Sequence, residues 1–282
     1  MTPGRRYRIF IHCAALGTSL IILAPFAWLF YTSLVGQTDL LGRPMRWVPE
    51  QLTLGRYREI FAGQGTSAAA EFRAAMVNSF LVGIGTVLVS LTVGVLGGYA
   101  LARLRFPLRR VTLLSFLVTY MLPAITLIIP LYLLMARFGL LNTRAGLIVV
   151  YCSLATPFAL WAMSTFFGTL PADLEDAARV DGCSRLGALV RVVLPLSKPG
   201  IIATALYAFL LCWDEFLYAL IFTSTSQAKT IPVAIAEFTG RNAVDFGLIA
   251  AGGILASLPP VVLTIMFQRY LISGLSAGAL KG

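Results

Sequence analysis

Six stretches of this chain, near 9–34, 77–101, 111–136, 145–168, 200–224 and 246–269, are predominantly apolar. Each is long enough to cross a hydrocarbon layer, which takes about 20 helical residues. Backbone inside lipid must satisfy its own hydrogen bonds, and helices do so within one segment. The pattern predicts an all-α polytopic membrane protein with six transmembrane helices, its single domain covering 1–282. Composition agrees, with 58% apolar and only 12% charged residues, against about 25% charged in a soluble domain.

Six crossings put both termini on one side, and basic residues near the span ends select it. Arg5, Arg6 and Arg8 precede the first span; Arg103, Arg105, Arg109 and Arg110 fill the second link. Arg179, Arg185, Arg191 and Lys198 lie between the fourth and fifth spans, and Arg269 and Lys281 close the chain. Thirteen of the 22 basic residues thus share one side, which is expected to be cytoplasmic. Five of the other nine (Arg43, Arg46, Arg56, Arg58, Arg73) are spread over one long loop, where the charge bias is weaker. The net charge of +10 therefore reads as topogenic charge rather than a nucleic-acid footprint, which would be clustered with stacking aromatics between. The opening apolar run exceeds the roughly 7–15 residues of a cleavable signal and reads as an uncleaved first span.

Pro25, Pro123, Pro130, Pro157, Pro259 and Pro260 fall inside the spans and are expected to bend them. Gly94 and Gly98 have the GxxxG spacing that lets two helices approach closely. Cys13, Cys152, Cys183 and Cys212 show neither metal nor disulfide spacing. His12, at the start of the first span beside Arg8, reads as an interfacial side chain rather than a proton relay.

One loop, 171–195, differs from the rest. Asp173, Glu175 and Asp176 crowd a first helical turn after Pro171, where acidic groups oppose the helix dipole. Asp181-Gly182 signals a turn, with Gly182 supplying the left-handed residue. A second helix presents Leu186, Leu189, Val190 and Val193 at three- and four-residue spacing until Pro195 stops it. Its apolar face could pack on the transmembrane helix ends or receive a partner.

The segment resembles the EAA loop of ABC importer permeases, E-A-A-x3-G-x9-I-x-L-P. Asp176, Ala177, Ala178, Gly182, Val192, Leu194 and Pro195 fall at its fixed positions, with Asp for Glu and Val for Ile. Gly98-Tyr99-Ala100 before Ala102-Arg103, Leu141-Asn142-Thr143 with Gly146-Leu147-Ile148, Trp213-Asp214-Glu215-Phe216 and the closing 274–282 segment are similar to maltose- and trehalose-type carbohydrate permeases. The resemblance implies a six-span permease with the topology first described for methionine importers. It implies a second, different permease, two ATPase subunits beneath that use ATP and magnesium, and an extracytoplasmic sugar-binding protein. The permease itself holds no cofactor. Glu175, Asp176, Ala177, Ala178, Asp181, Gly182, Val192, Leu194 and Pro195 become the expected ATPase-coupling site, and Gly278, Lys281 and Gly282 a flexible tail reaching between the ATPases. The cargo implied is a sugar, with glycerol phosphate, amino acids or peptides as alternatives within the same class.

Trp213, Asp214, Glu215 and Phe216 are candidates for the substrate path, because carboxylates and aromatic rings suit sugar hydroxyls and sugar faces. The same residues could instead link helices, and in such pairs the partner permease can supply most sugar contacts. No G-x-x-x-x-G-K-[ST] sequence is present, so energy must come from a partner. Gly274-Leu-Ser276-Ala-Gly278 matches a nucleophile elbow in form, but such an elbow joins a strand to a helix and needs a later histidine. The only histidine is His12.

Overall fold

The computed structural model describes residues 5–42, 48–49, 51–62, 67–238 and 245–279, with backbone alone at 5, 67–68 and 271–279. The described residues are helical and hold no strand, only an isolated antiparallel bridge between Val35 and Leu52. In chain order the helices are α1 (Arg5–Leu34), α2 (Gln37–Leu41), α3 (Gly55–Ala62), α4 (Ser67–Arg103), α5 (Arg109–Met121), α6 (Ala124–Arg137) and α7 (Arg144–Thr169). Next come α8 (Asp173–Val180), α9 (Arg185–Ala188), a π-helical turn over Leu189–Val193 and α10 (Leu194–Leu196). The chain ends with α11 (Lys198–Trp213), α12 (Leu217–Phe222), α13 (Ile231–Glu237) and α14 (Phe246–Ala279).

Among the described residues four helices are long and apolar enough to cross a membrane: Arg6–Leu34, Ala69–Arg103, Arg144–Thr169 and Phe246–Tyr270. Six result if each of two bent pairs is one span. The expected third span breaks at Leu122-Pro123, where α5 and α6 meet at 97°. Pro123 forces its predecessor out of the helical region, and Leu122 is extended (φ −66°, ψ 133°). The expected fifth span, 200–224, is interrupted at 214–216 between α11 and α12.

The chain divides into two compact units. The first is Met1–Arg73 with Ala234–Pro259, and within it lies Arg56. That guanidinium is buried, donates to the Val35 carbonyl (2.6 Å) and pairs with Asp245 (3.1 Å). Asp245 in turn accepts from the Gly247 and Leu248 amides and caps α14. A basic residue read as loop charge is thus an internal tie.

The second unit, Ala74–Val233 with Pro260–Gly282, carries the loop of interest. Here α4 lies on α7 at glycine distance. A Cβ on Gly94 would stand 2.9 Å from Ala159, and one on Gly98 2.8 Å from the Ser164 amide. The GxxxG expectation is realised within one chain. One apolar cluster gathers Val82, Met135, Leu147, Tyr151, Tyr218 and Phe222; another gathers Tyr99, Met163, Phe167, Leu189 and Val193. At the other end of α7, Asn142 sits in the left-handed region (φ 56°) and accepts from the Ser224 and Thr225 amides. Thr143 caps α7 by accepting from Gly146.

Candidate coupling site

The acidic first turn of α8 does two different things. Asp176 is exposed and lies 3.8 Å from Arg179, a contact worth little in water. Glu175 turns inward. Its carboxylate accepts a hydrogen bond from the Tyr99 hydroxyl and lies 3.4 Å from Arg103 Nε, at ion-pair range but without hydrogen-bond alignment. Arg103 also donates through Nη2 to the Leu170 carbonyl at 2.8 Å. Both partners come from the end of α4, so α8 is tied to the helix that packs by glycines on α7. Sequence reasoning assigned Arg103 to membrane topology and Tyr99 to a resemblance. Nothing in spacing joins them to Glu175, which lies more than 70 residues away.

Gly182 ends α8 as expected, at φ 88°. The Gly182 amide donates to the Arg179 carbonyl (3.1 Å) and the Cys183 amide to Ala178 (3.0 Å), the paired bonds of a Schellman motif. Ser184 then caps α9 by accepting from the Gly187 amide at 3.1 Å. Pro195 does not stop the second helix. A proline ring crowds the carbonyl four residues back and removes one donor. The π turn at Leu189–Val193 widens the ladder just before it, and the helix continues to Leu196. The chain then bends by 79° after Leu196 into α11.

The amphipathic face divides. Ala178, Ala188, Leu189 and Val193 are buried, the last two against Tyr99, Met163 and Phe167. Leu174, Val180, Leu186 and Val190 are exposed, Val180 at 87% and Leu186 at 63%. Ala177, Asp181 and Pro195 are exposed with them, while Val192 and Leu194 are half-buried. A hollow of about 770 Å3 lies beside α8, lined by Arg103, Arg105, Arg179 and Arg185 together with Glu175 and Asp176. The loop is therefore held on one side and presents apolar and basic chemistry on the other.

The 213–216 candidates are placed differently. Trp213 is buried and stacks on Phe209 at 5.3 Å. Because α11 ends there, Glu215 folds back as a cap and accepts from the Tyr218 (2.8 Å) and Ala219 (3.0 Å) amides. Asp214 and Phe216 are exposed. Of the tail, Gly278 lies in α14, which continues to Ala279 where a loose strand was expected; Lys281 and Gly282 lie outside the described residues. Gly274–Gly278 is likewise helical, so no strand-to-helix elbow exists there.

The profile of the binding-protein-dependent transport system inner membrane component matches residues 90–276, a range that holds α7, the whole 171–195 loop and the C-terminal end of α4 with Gly94, Gly98, Tyr99 and Arg103. The chain belongs to this family. It is therefore a multi-pass inner-membrane permease subunit of an ABC importer, a transport component and not an enzyme. The permease is 37% identical over 262 residues, 92% of its length and 93% of the relative's, to the trehalose transport system permease protein SugB of Mycobacterium tuberculosis. It is 33% identical over 276 residues, 98% and 97% of the two chains, to the trehalose/maltose transport system permease protein MalG of Thermococcus litoralis. A solved chain of a bacterial ABC transporter that imports the acidic polysaccharide alginate shares the fold, with TM-score 0.77, 22% identity and coverage of 96% and 99%. A chain of the methionine transporter MetNI does so at TM-score 0.58, 16% identity and coverage of 79% and 99%. The expected methionine-importer-like permease fold is present.

Proposed function

We propose that this permease moves a sugar inward as one single-domain half of a heterodimer, coupled to two ATPase subunits through the 171–195 loop. Both termini and that loop face the cytoplasm, and an extracytoplasmic sugar-binding protein delivers the cargo. ATP and magnesium act on the ATPases, which seat against Leu174, Val180, Leu186 and Val190. The two-sidedness of the loop is the observation that carries this reading: exposed apolar side chains face away from an inner surface tied to α4 by Glu175, Tyr99 and Arg103. A rigid tie of this kind passes displacement of α8 to α4, and close packing at Gly94 and Gly98 passes it to α7. The sugar assignment rests on the trehalose and trehalose/maltose permeases that match nearly the whole chain.

Uptake of radiolabelled trehalose and maltose by cells carrying the complete gene set, with and without this permease, tests the cargo. Loss of either sugar's uptake on deletion supports it; uptake of an amino acid or glycerol phosphate alone refutes it. Orientation is tested by single cysteines in a variant lacking the native four. Arg58→Cys should react with an impermeant thiol reagent from outside and Ser184→Cys should not, and the reverse pattern refutes the orientation.

A further inference from the structure

Trp213, Asp214, Glu215 and Phe216 are candidates for a substrate path or for linking helices, and Trp213 and Glu215 are engaged in packing and capping. Another cluster has the chemistry. Tyr120 on α5, Phe158 and Trp161 on α7 and Tyr207 on α11 converge: the Phe158 and Tyr207 rings are 3.9 Å apart, Phe158 and Trp161 5.9 Å, and Tyr120 and Phe158 6.5 Å. The Tyr120 and Tyr207 hydroxyls hydrogen-bond at 2.9 Å. The cluster is open to one side, with Tyr120 40%, Trp161 41% and Tyr207 39% exposed.

Lipid is a poor neighbour for this face. Two hydroxyls sharing one hydrogen bond keep one O–H proton and several lone pairs to satisfy, and hydrocarbon offers no partner. Asp214, the C-cap of α11, follows Tyr207 by seven residues, and its amide still bonds the Leu210 carbonyl, so helical spacing sets it about two turns and about 10 Å further along the side that carries Tyr207. It is exposed and makes no side-chain hydrogen bond or ion pair among the described residues. A carboxylate and paired hydroxyls along one side of a membrane helix imply water or a polar ligand there.

We propose that Tyr120, Phe158, Trp161 and Tyr207, with Asp214 beyond them, form this permease's wall of the translocation path and contact a pyranose in transit. The inference rests on the sugar-importer reading. Ring faces of Trp161 and Tyr207 receive the apolar C–H face of the sugar, and the hydroxyl pair and Asp214 exchange hydrogen bonds with its hydroxyls. Phe158 fixes the ring of Tyr207 from below and acts as a positioning residue. Binding is shallow and shared among several groups, as a path that must release its cargo requires.

The test uses the complete complex with its cognate binding protein, radiolabelled trehalose and maltose as probes, and the variants Tyr207→Phe, Trp161→Leu and Asp214→Asn. Tyr207→Phe and Trp161→Leu should each lower the maximal uptake rate at least 5-fold and change the trehalose-to-maltose ratio, with co-purification of the second permease unchanged. Tyr207→Cys, in the variant lacking native cysteines, should react with a small water-soluble thiol reagent and react more slowly during turnover with loaded binding protein. Wild-type rates and ratio in both variants overturn the proposal alone, and so does an unreactive Tyr207→Cys. Loss of co-purification overturns it by making the face a subunit interface. A wild-type complex that moves neither sugar overturns the sugar reading itself, and the thiol reaction then reports only whether the face is wet.

Discussion

Gly182 offers a perturbation whose cost follows from two observations. Its φ is 88°, and no heavy atom lies within 4 Å of where a Cβ would sit. A side chain there meets no neighbour, so the cost lies in backbone conformation alone, about 1–2 kcal/mol for an L-residue in the left-handed region. That amounts to a factor of about 5–30 in the population of the formed turn. Asparagine visits this region more readily than other non-glycine residues, and a β-branched side chain least. Gly182→Asn, Gly182→Ala and Gly182→Val should therefore form a graded series. Losing the turn releases the bonds from the Gly182 and Cys183 amides and lets α8 and α9 tilt apart. We expect ATP hydrolysis stimulated by loaded binding protein to fall in the order Asn, Ala, Val, by up to about 5–30-fold for valine, while subunits still co-purify. Equal activity across the series refutes the coupling role of the turn, and equal damage from Asn and Val refutes the backbone argument.

Further substitutions test the packing. Gly98→Val sets a Cβ 2.8 Å from the Ser164 amide and should lower stability by about 1–3 kcal/mol; Gly17→Ala, with open space around it, should stay neutral or gain up to about 1 kcal/mol, both read as melting temperatures in detergent. Glu215→Ala removes the cap on the Tyr218 and Ala219 amides and should cost about 0.5–2 kcal/mol, whereas Asp214→Asn should leave the melting temperature unchanged. Arg56→Leu orphans the Val35 carbonyl and should cost about 1.5–3 kcal/mol, seen as earlier thermal unfolding.

What the sequence revealed follows from how local each signal is. Gly182 was legible because Asp-Gly after an acidic turn specifies a helix end within four residues. Four spans were legible because apolar length is a property of one segment. Length says nothing of direction: Pro123 marks the position of the 97° bend but not its size, and the break at 214–216 has no proline to mark it. Pro195 reads as a stop in sequence, because the π turn before it leaves no simple sequence mark. The capping role of Glu215 exists only because α11 ends at Trp213 and α12 begins at Leu217, which leaves the Tyr218 and Ala219 amides without carbonyls. Glu175 with Tyr99 and Arg103, and the Tyr120–Phe158–Trp161–Tyr207 cluster, join segments distant in sequence, and no periodicity reports such meetings.

Site-directed cross-linking measures directly whether the 185–196 helix meets the ATPase, and through which face. Single cysteines at Leu186, Val190, Leu189 and Val193, in the complex lacking other cysteines, are treated with a short photoactivated thiol cross-linker, and adducts with the ATPase are counted. Cross-links from the exposed Leu186 and Val190 positions, and none from the buried Leu189 and Val193, are the predicted result. Adducts from Leu189 and Val193, or from none of the four in an assembled complex, contradict it.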